Sequence, residues 1–262
     1  MTGTLRVERF EGWARLTLDR PAKRNALDRA LRMALSKELE ALRGEASAVV
    51  LAANGDVFCA GLDLKEREAD KAQGDRDSAN DEWRALALLL REHPAIIVTA
   101  VTGLAIGAGA TLVGVSDLAI ASDDAALRLP EAALGSYAAL SGPVTQPELS
   151  RKRAAWLLLS NEDVPAADAL AWGLVNEVRP RDTVVARAGE LATRIAGYDR
   201  AVVEEIKRAL DSAPSAMRNL TGSLDFGQAV NRRIRSRTDA ADRELARFAT
   251  EGPKRSSTMD DG

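Results

Sequence analysis

The 262-residue sequence has a single cysteine, Cys59, and a single histidine, His93. One cysteine excludes an intrachain disulfide framework and a cysteine-built zinc site. One histidine excludes a multi-histidine metal centre and argues against a Ser-His-Asp triad. Charge of one sign is also lacking: 36 basic and 39 acidic residues leave a net charge of −3, with no global attraction to nucleic acid. No apolar run reaches the ~20 residues that cross a bilayer. The N-terminal MTGTLRVERFEGW carries charges throughout, unlike a signal peptide. Phosphate-binding loops are missing as well. Gly107-Ala-Gly109-Ala-Thr-Leu112 puts leucine where the third glycine of G-x-G-x-x-G belongs, and no G-x-x-x-x-G-K-[ST] occurs. A soluble cytoplasmic protein with a reduced thiol is predicted, its chemistry confined to carboxylates, hydroxyls, backbone amides or a bound cofactor.

What is present is a globular mixture, 46% apolar and 29% charged, of a length suited to one large α/β domain with an appendage. Alternation in Leu5–Phe10 and again from Trp13 to Asp19, around Glu11-Gly12, predicts a hairpin. Asp28 is a candidate N-cap for a helix running to Arg43, with Leu31, Leu35, Leu39 and Leu42 on its buried face. Ala48–Ala53 and Ile96–Val101 are unbroken apolar runs, the pattern of strands covered on both sides. Lys65–Asp81 has almost no large apolar side chain and reads as a solvated, mobile loop before a helix over Trp83–Glu92. Further strands are expected at Asp117–Ala121, Ala126–Leu129 and Leu174–Val178. Helices are expected at Arg151–Leu159, Ala166–Trp172, Val184–Ala196 and Ala201–Ala213. Ser215–Phe248 is polar and arginine-rich, and the tail from Pro253 should fray. Strands alternating with helices, then helices alone, predict α/β followed by a helical segment: a core over 1–200, helices over 201–255 and a disordered tail over 256–262.

Glycines at 103, 107 and 109 follow strand Ile96–Val101 and open a helix, so backbone there can approach a ligand and offer free N–H groups to an anion formed during reaction. Three more segments join this turn: Arg20-Pro-Ala-Lys-Arg-Asn-Ala-Leu27, Phe58-Cys-Ala-Gly-Leu-Asp-Leu-Lys-Glu66 and Leu129-Pro-Glu-Ala-Ala-Leu-Gly135. In this order the four resemble the crotonase superfamily, the enoyl-CoA hydratase/isomerase group, from about Leu5 to Val178, with a weaker echo at 238–255.

The resemblance implies a spiral of ββα units with C-terminal helices that assemble trimers or hexamers, and coenzyme A thioesters as substrates. No metal or redox cofactor is implied; coenzyme A arrives as part of the substrate. The amides of Leu62 and Ala108 would hold the thioester enolate oxygen. Glu131 would move the proton. Lys23, Arg24, Ala26, Ala60, Gly61, Asp63, Leu64, Gly107, Gly109, Thr111, Leu134 and Gly135 would line the substrate site, with Lys23 and Arg24 near the CoA phosphates and adenosine.

Family hydratases carry two glutamates, and the first falls on Thr111 here. A threonine hydroxyl orients water or substrate but cannot serve as a carboxylate base. One carboxylate beside an oxyanion hole suffices to shift a double bond, so isomerisation is expected ahead of hydration, with another acid from Lys65–Asp81 able to fold over the site if water adds. A non-catalytic acyl-CoA binder is the alternative. The bland roles are a helix-start carboxylate for Glu131, a buried small hydrophobe for Cys59, a helix end for His93 and packing for Trp13, Trp83, Trp156 and Trp172. Tyr137 and Ser141 either line the acyl pocket or fill space. The run Arg232–Arg237 is read as solvated.

Overall fold

The computed structural model describes residues 4–75, 78–217 and 219–251. The tail expected to fray lies outside these residues. The described chain forms two compact units, one ending at Gly197 and one beginning at Tyr198.

The first unit opens with an antiparallel hairpin, β1 (Leu5–Phe10) and β2 (Trp13–Leu18). Helix α1 (Arg29–Leu42) starts at Asp28, whose Oδ1 accepts the Leu31 N–H at 2.9 Å; Leu31, Leu35, Leu39 and Leu42 are buried. Strand β3 (Ala48–Ala53) leads to α2 (Leu64–Ala72), α3 (Ser78–Glu92) and β4 (Ile96–Val101). A short strand β5 (Leu104–Ile106) precedes α4 (Ala108–Val115), then come β6 (Leu118–Ser122) and β7 (Ala126–Arg128). The remainder holds α5 (Ser141–Thr145), α6 (Arg151–Leu159), β8 (Val164–Pro165), α7 (Ala166–Trp172), β9 (Glu177–Arg179) and α8 (Val184–Ala196).

Two sheets result, β1-β2-β3-β4-β6-β9 and β5-β7-β8. From β2 to β9 the large sheet is parallel. The small sheet is extended by single parallel bridges, Leu27 to Leu62 and Cys59 to Ala105. Each turn of chain therefore lays one strand in the large sheet, one extended segment in the smaller row, and then a helix. That is the α/β spiral of ββα turns that the sequence resemblance implied. The fully buried β4 explains its unbroken apolar run, since both faces are covered.

Several expectations need correction. Lys65–Asp81 is not a solvated loop: Leu64–Ala72 is α2, and α3 begins at Ser78. Leu64–Ala72 is composed mostly of good helix formers, and ion pairs replace the missing apolar stripe. Arg32, 2% exposed, binds Glu66 at 2.8 Å and Glu82 at 2.7 Å, while Glu66 Oε1 accepts the Arg29 N–H at 2.7 Å. The strand expected at Leu174–Val178 is shifted to Glu177–Arg179. Trp156 is half exposed rather than packed. His93, directly after α3, is fully buried; Nε2 meets the Leu39 carbonyl at 2.9 Å and Nδ1 accepts the Ala95 N–H at 3.1 Å.

The second unit holds α9 (Arg200–Ala216), α10 (Leu220–Arg237) and α11 (Ala240–Glu251). Arg233 and Arg237 are not simply solvated: they pair with Glu205, Arg233 at 3.0 Å, and Arg237 also grips Glu204. Burial pushes the Glu205 carboxyl up, yet hydrogen bonds from Arg233 and Arg237 and the charge of Arg208 hold it below the usual range. Among the described residues no helix is long and apolar enough to cross a membrane.

Candidate active site

The first wall of the site is the loop between β2 and α1. Arg24 and Asn25 both take left-handed backbone, φ 49° and 53°. Buried Asn25 stabilises that shape: its Oδ1 accepts the Arg20 N–H at 2.8 Å, and its Nδ2 donates to the Asn54 and Val57 carbonyls at 2.9 and 2.8 Å. The loop then runs beside the segment after β3. Ala60 N–H donates to Arg24 O at 3.0 Å, Leu27 N–H to Gly61 O at 2.8 Å, and Asp63 N–H to Leu27 O at 3.3 Å. Asp63 also starts α2, its Oδ1 accepting the Lys65 N–H at 3.1 Å. Arg20 reaches Asp28 at 2.8 Å and Asp63 at 3.4 Å, tying the starts of α1 and α2 together. Lys23, Arg24 and Leu64 are exposed, and Ala26 is half-buried.

A second register joins this segment to the glycine-rich turn. Cys59 N–H donates to Leu104 O at 3.2 Å, and Ile106 N–H to Cys59 O at 2.9 Å. Gly61 has φ 90°, and a Cβ there would lie 3.0 Å from Ile106 O and 3.6 Å from Ala108 N. A Cβ at Gly109 would overlap the Cys59 carbonyl oxygen. Both glycines are thus required by close approach, and that approach brings the Leu62 and Ala108 segments together. Neither the Leu62 nor the Ala108 N–H donates to an acceptor among the described residues. Free backbone amides on two segments in such close approach can receive a developing oxyanion.

The third register brings in the carboxylate. Gly107 N–H donates to Arg128 O at 2.9 Å, and a Cβ on Gly107 would sit 3.2 Å from Glu131 Oε1. Glu131 Oε2 is buried with no hydrogen-bond partner among the described residues. Desolvation lifts its carboxyl above the usual range, only partly opposed by its own backbone N–H. Residues 131–135 form a turn, so Glu131 is not a helix-start carboxylate. Leu134 and Gly135 belong to that turn, Leu134 being exposed. Buried Cys59 has its thiol pushed up to about 12 by desolvation, and its sulfur accepts the Gly61 N–H at 3.4 Å.

The model of the enoyl-CoA hydratase/isomerase family matches residues 8–251. The chain belongs to this family. Among its relatives, 2,3-dehydroadipyl-CoA hydratase of Escherichia coli (strain K12) is 35% identical over 201 residues, 74% of this chain and 76% of that protein. Mevalonyl-coenzyme A hydratase of Aspergillus fumigatus is 33% identical over 219 residues, covering 74% and 79%. The mitochondrial enoyl-CoA hydratase domain-containing protein 3 of Rattus norvegicus is 31% identical over 195 residues, 74% of this chain, and the match spans 65% of its length. An enoyl-CoA hydratase structure from Mycobacterium smegmatis superposes with a TM-score of 0.85 at 28% identity, over 94% of this chain and 96% of that one.

In this member of the enoyl-CoA hydratase/isomerase family, threonine stands at position 111. Thr111 is fully buried, its hydroxyl 2.6 Å from the Ser141 hydroxyl. The sequence suggested Ser141 as an acyl-pocket or space-filling residue, not as a partner of Thr111, and the 30-residue separation offered no signal for the pairing. Arg20 and Asn25 were missed too, although both lie in a segment that was singled out. Tyr137 and Ser141 part company: Ser141 is buried, while Tyr137 lines a cleft of about 620 Å³ with Ala132, Leu149, Arg151, Ala154 and Leu158. Glu131, Leu62 and Ala108 do not line that cleft. Among the described residues, no three His, Cys, Asp or Glu side chains gather in a metal-holding group.

Proposed function

We propose that this chain is an acyl-CoA enzyme that forms a thioester enolate and shifts a carbon–carbon double bond. Glu131 takes a proton from C2 of a 3-enoyl-CoA, and the C2–H electron pair moves into the conjugated enolate. The Leu62 and Ala108 amides hold the oxyanion. Glu131 then returns the proton at C4, leaving the 2-enoyl thioester. Support comes from Glu131 itself, an unpaired half-buried carboxyl beside Gly107, in a site whose other carboxylate position holds Thr111. A raised carboxyl is better matched to proton transfer near neutral pH than an ordinary one.

Hydration is the second reading, favoured by the two CoA hydratases among the relatives. It would make Glu131 the sole carboxylate acting on water. The acids expected to help from Lys65–Asp81 are occupied in part: Glu66 and Asp70 pair with Arg32 and Arg29. Exchange of substrate protons in deuterated buffer tests the enolate, and Glu131→Gln should slow it by ~10²–10⁴-fold. An unaffected variant would remove Glu131 from both reactions, and no exchange in the unmodified protein would leave an acyl-CoA binder. Product formed in 18O-water separates the two, because only hydration carries the label into the acyl chain.

Lys23 and Arg24, exposed on the loop that anchors Ala60, are assigned to the CoA phosphates and adenosine. Replacing both by alanine should raise KM about tenfold with kcat unchanged, the signature of lost uniform binding. An unchanged KM would reject the assignment.

A further inference from the structure

The Gly107–Ala108 peptide is gripped from its carbonyl side. The Thr111 hydroxyl lies 3.2 Å from the Gly107 oxygen and the Ser141 hydroxyl 3.3 Å from it, and the two hydroxyls are 2.6 Å apart. The Thr111 N–H donates to the same oxygen at 2.9 Å. All three residues are buried. Two hydroxyls carry two protons for three oxygen–oxygen contacts. One hydroxyl therefore donates to Gly107 while the other donates to the first hydroxyl. Either order gives the Gly107 oxygen one N–H and one O–H donor, filling both lone pairs.

Gly107 O and the Ala108 N–H belong to one planar trans peptide and point in opposite directions. Fixing the oxygen fixes the direction of the N–H, and hydrogen bonds accepted at the oxygen polarise the N–H on the far side. External support matters here because Gly107, at φ 52° and ψ −113°, lies outside regular structure and has no side-chain cap. A carboxylate at position 111 would have no proton to donate to a carbonyl; threonine has one.

We propose that Thr111 and Ser141 are positioning residues, a hydroxyl pair that aims and polarises the Ala108 amide toward the thioester carbonyl. This rests on Ala108 being an oxyanion donor. Each hydroxyl can reach Gly107 alone, so each covers for loss of the other. The double variant T111V/S141A should therefore lose more than the two single variants combined.

The test uses the full chain and butanoyl-CoA carrying 13C at the thioester carbonyl, read by difference infrared spectroscopy. Binding to the unmodified protein should move the carbonyl stretch to lower wavenumber. T111V and S141A should each keep most of that shift, the double variant should lose at least half of it, and T111S should keep it. Affinity should change less than about threefold while proton exchange falls about tenfold in the double variant. A full shift in a folded T111V/S141A overturns the proposal and leaves the oxyanion reading standing. If T111V/S141A does not fold, T111A/S141A, which also removes both hydroxyls but places no methyl group beside the Gly107 oxygen, is read in its place, and a full shift in it overturns the proposal. An unshifted carbonyl in the unmodified protein, with the ester bound, overturns the oxyanion reading and the proposal together.

Discussion

Burial without a partner at Oε2 favours the neutral form of Glu131, and this has two consequences of opposite sign. The proposed proton transfer needs the carboxylate, so the acidic limb of kcat/KM should lie above the ordinary glutamate range and rise with pH. Stability should move the other way. A carboxyl whose folded pKa is raised binds its proton more tightly when folded, so stability is greatest below the ordinary glutamate value and falls as pH rises through the raised one. Glu131→Gln should thus raise Tm at about pH 8 and leave it nearly unchanged at about pH 4; thermal melts at the two pH values decide. Cys59 belongs to the same scale. With its thiol at about 12 and fully buried, almost no thiolate exists at neutral pH. Iodoacetamide should label it only as fast as the chain opens, and prompt labelling of the folded protein would contradict that burial.

At the scale of elements, what could be read from the sequence divides by the kind of force involved. Strands β3 and β4 and helix α1 were legible because apolar runs and a leucine stripe record burial directly. Helix α2 was not, since its anchors are Glu66 and Asp70, whose partners Arg29 and Arg32 lie more than 30 positions earlier. Periodicity registers apolar faces and is blind to pairs of charges. The same blindness hid the partners of Arg233 and Arg237 on α9. Arg32 tests the weight of such pairs. Arg32→Met strips Glu66 of its guanidinium partner and leaves Glu82 with Arg29 alone, and should cost about 3 kcal/mol, read as a lower urea midpoint. A loss under ~0.5 kcal/mol would make the cluster decorative. On α9, the carboxyl of Glu205 is held low by arginines. Its contribution is therefore present above the ordinary glutamate value and lost as pH falls through the depressed one.

For the whole molecule, the four site segments were legible because they sit at the same point on successive turns, where glycines and short motifs mark the backbone. Their mutual distances were not legible, because no local pattern states which turn lies on which. The family resemblance supplied the spiral, and the bridges Leu27–Leu62 and Cys59–Ala105 supply its register. Assembly into a trimer or a dimer of trimers is a proposal from that resemblance. Sedimentation velocity should find a multiple of 28.0 kDa at micromolar concentration, and a monomer there would reject it.

The bridges between turns also bear on how the chain acquires its site. Leu62 is placed by Leu27, Ala108 by Cys59 and Gly61, and Glu131 by Gly107, so each link spans 20 to 50 positions and closes only after the intervening helix has docked. Such contacts form late, since loop closure must precede them. A refolding chain should therefore regain far-ultraviolet circular dichroism before it regains affinity for butanoyl-CoA. The ligand reports completed winding, because a partly wound chain, however helical, has not yet brought these segments together.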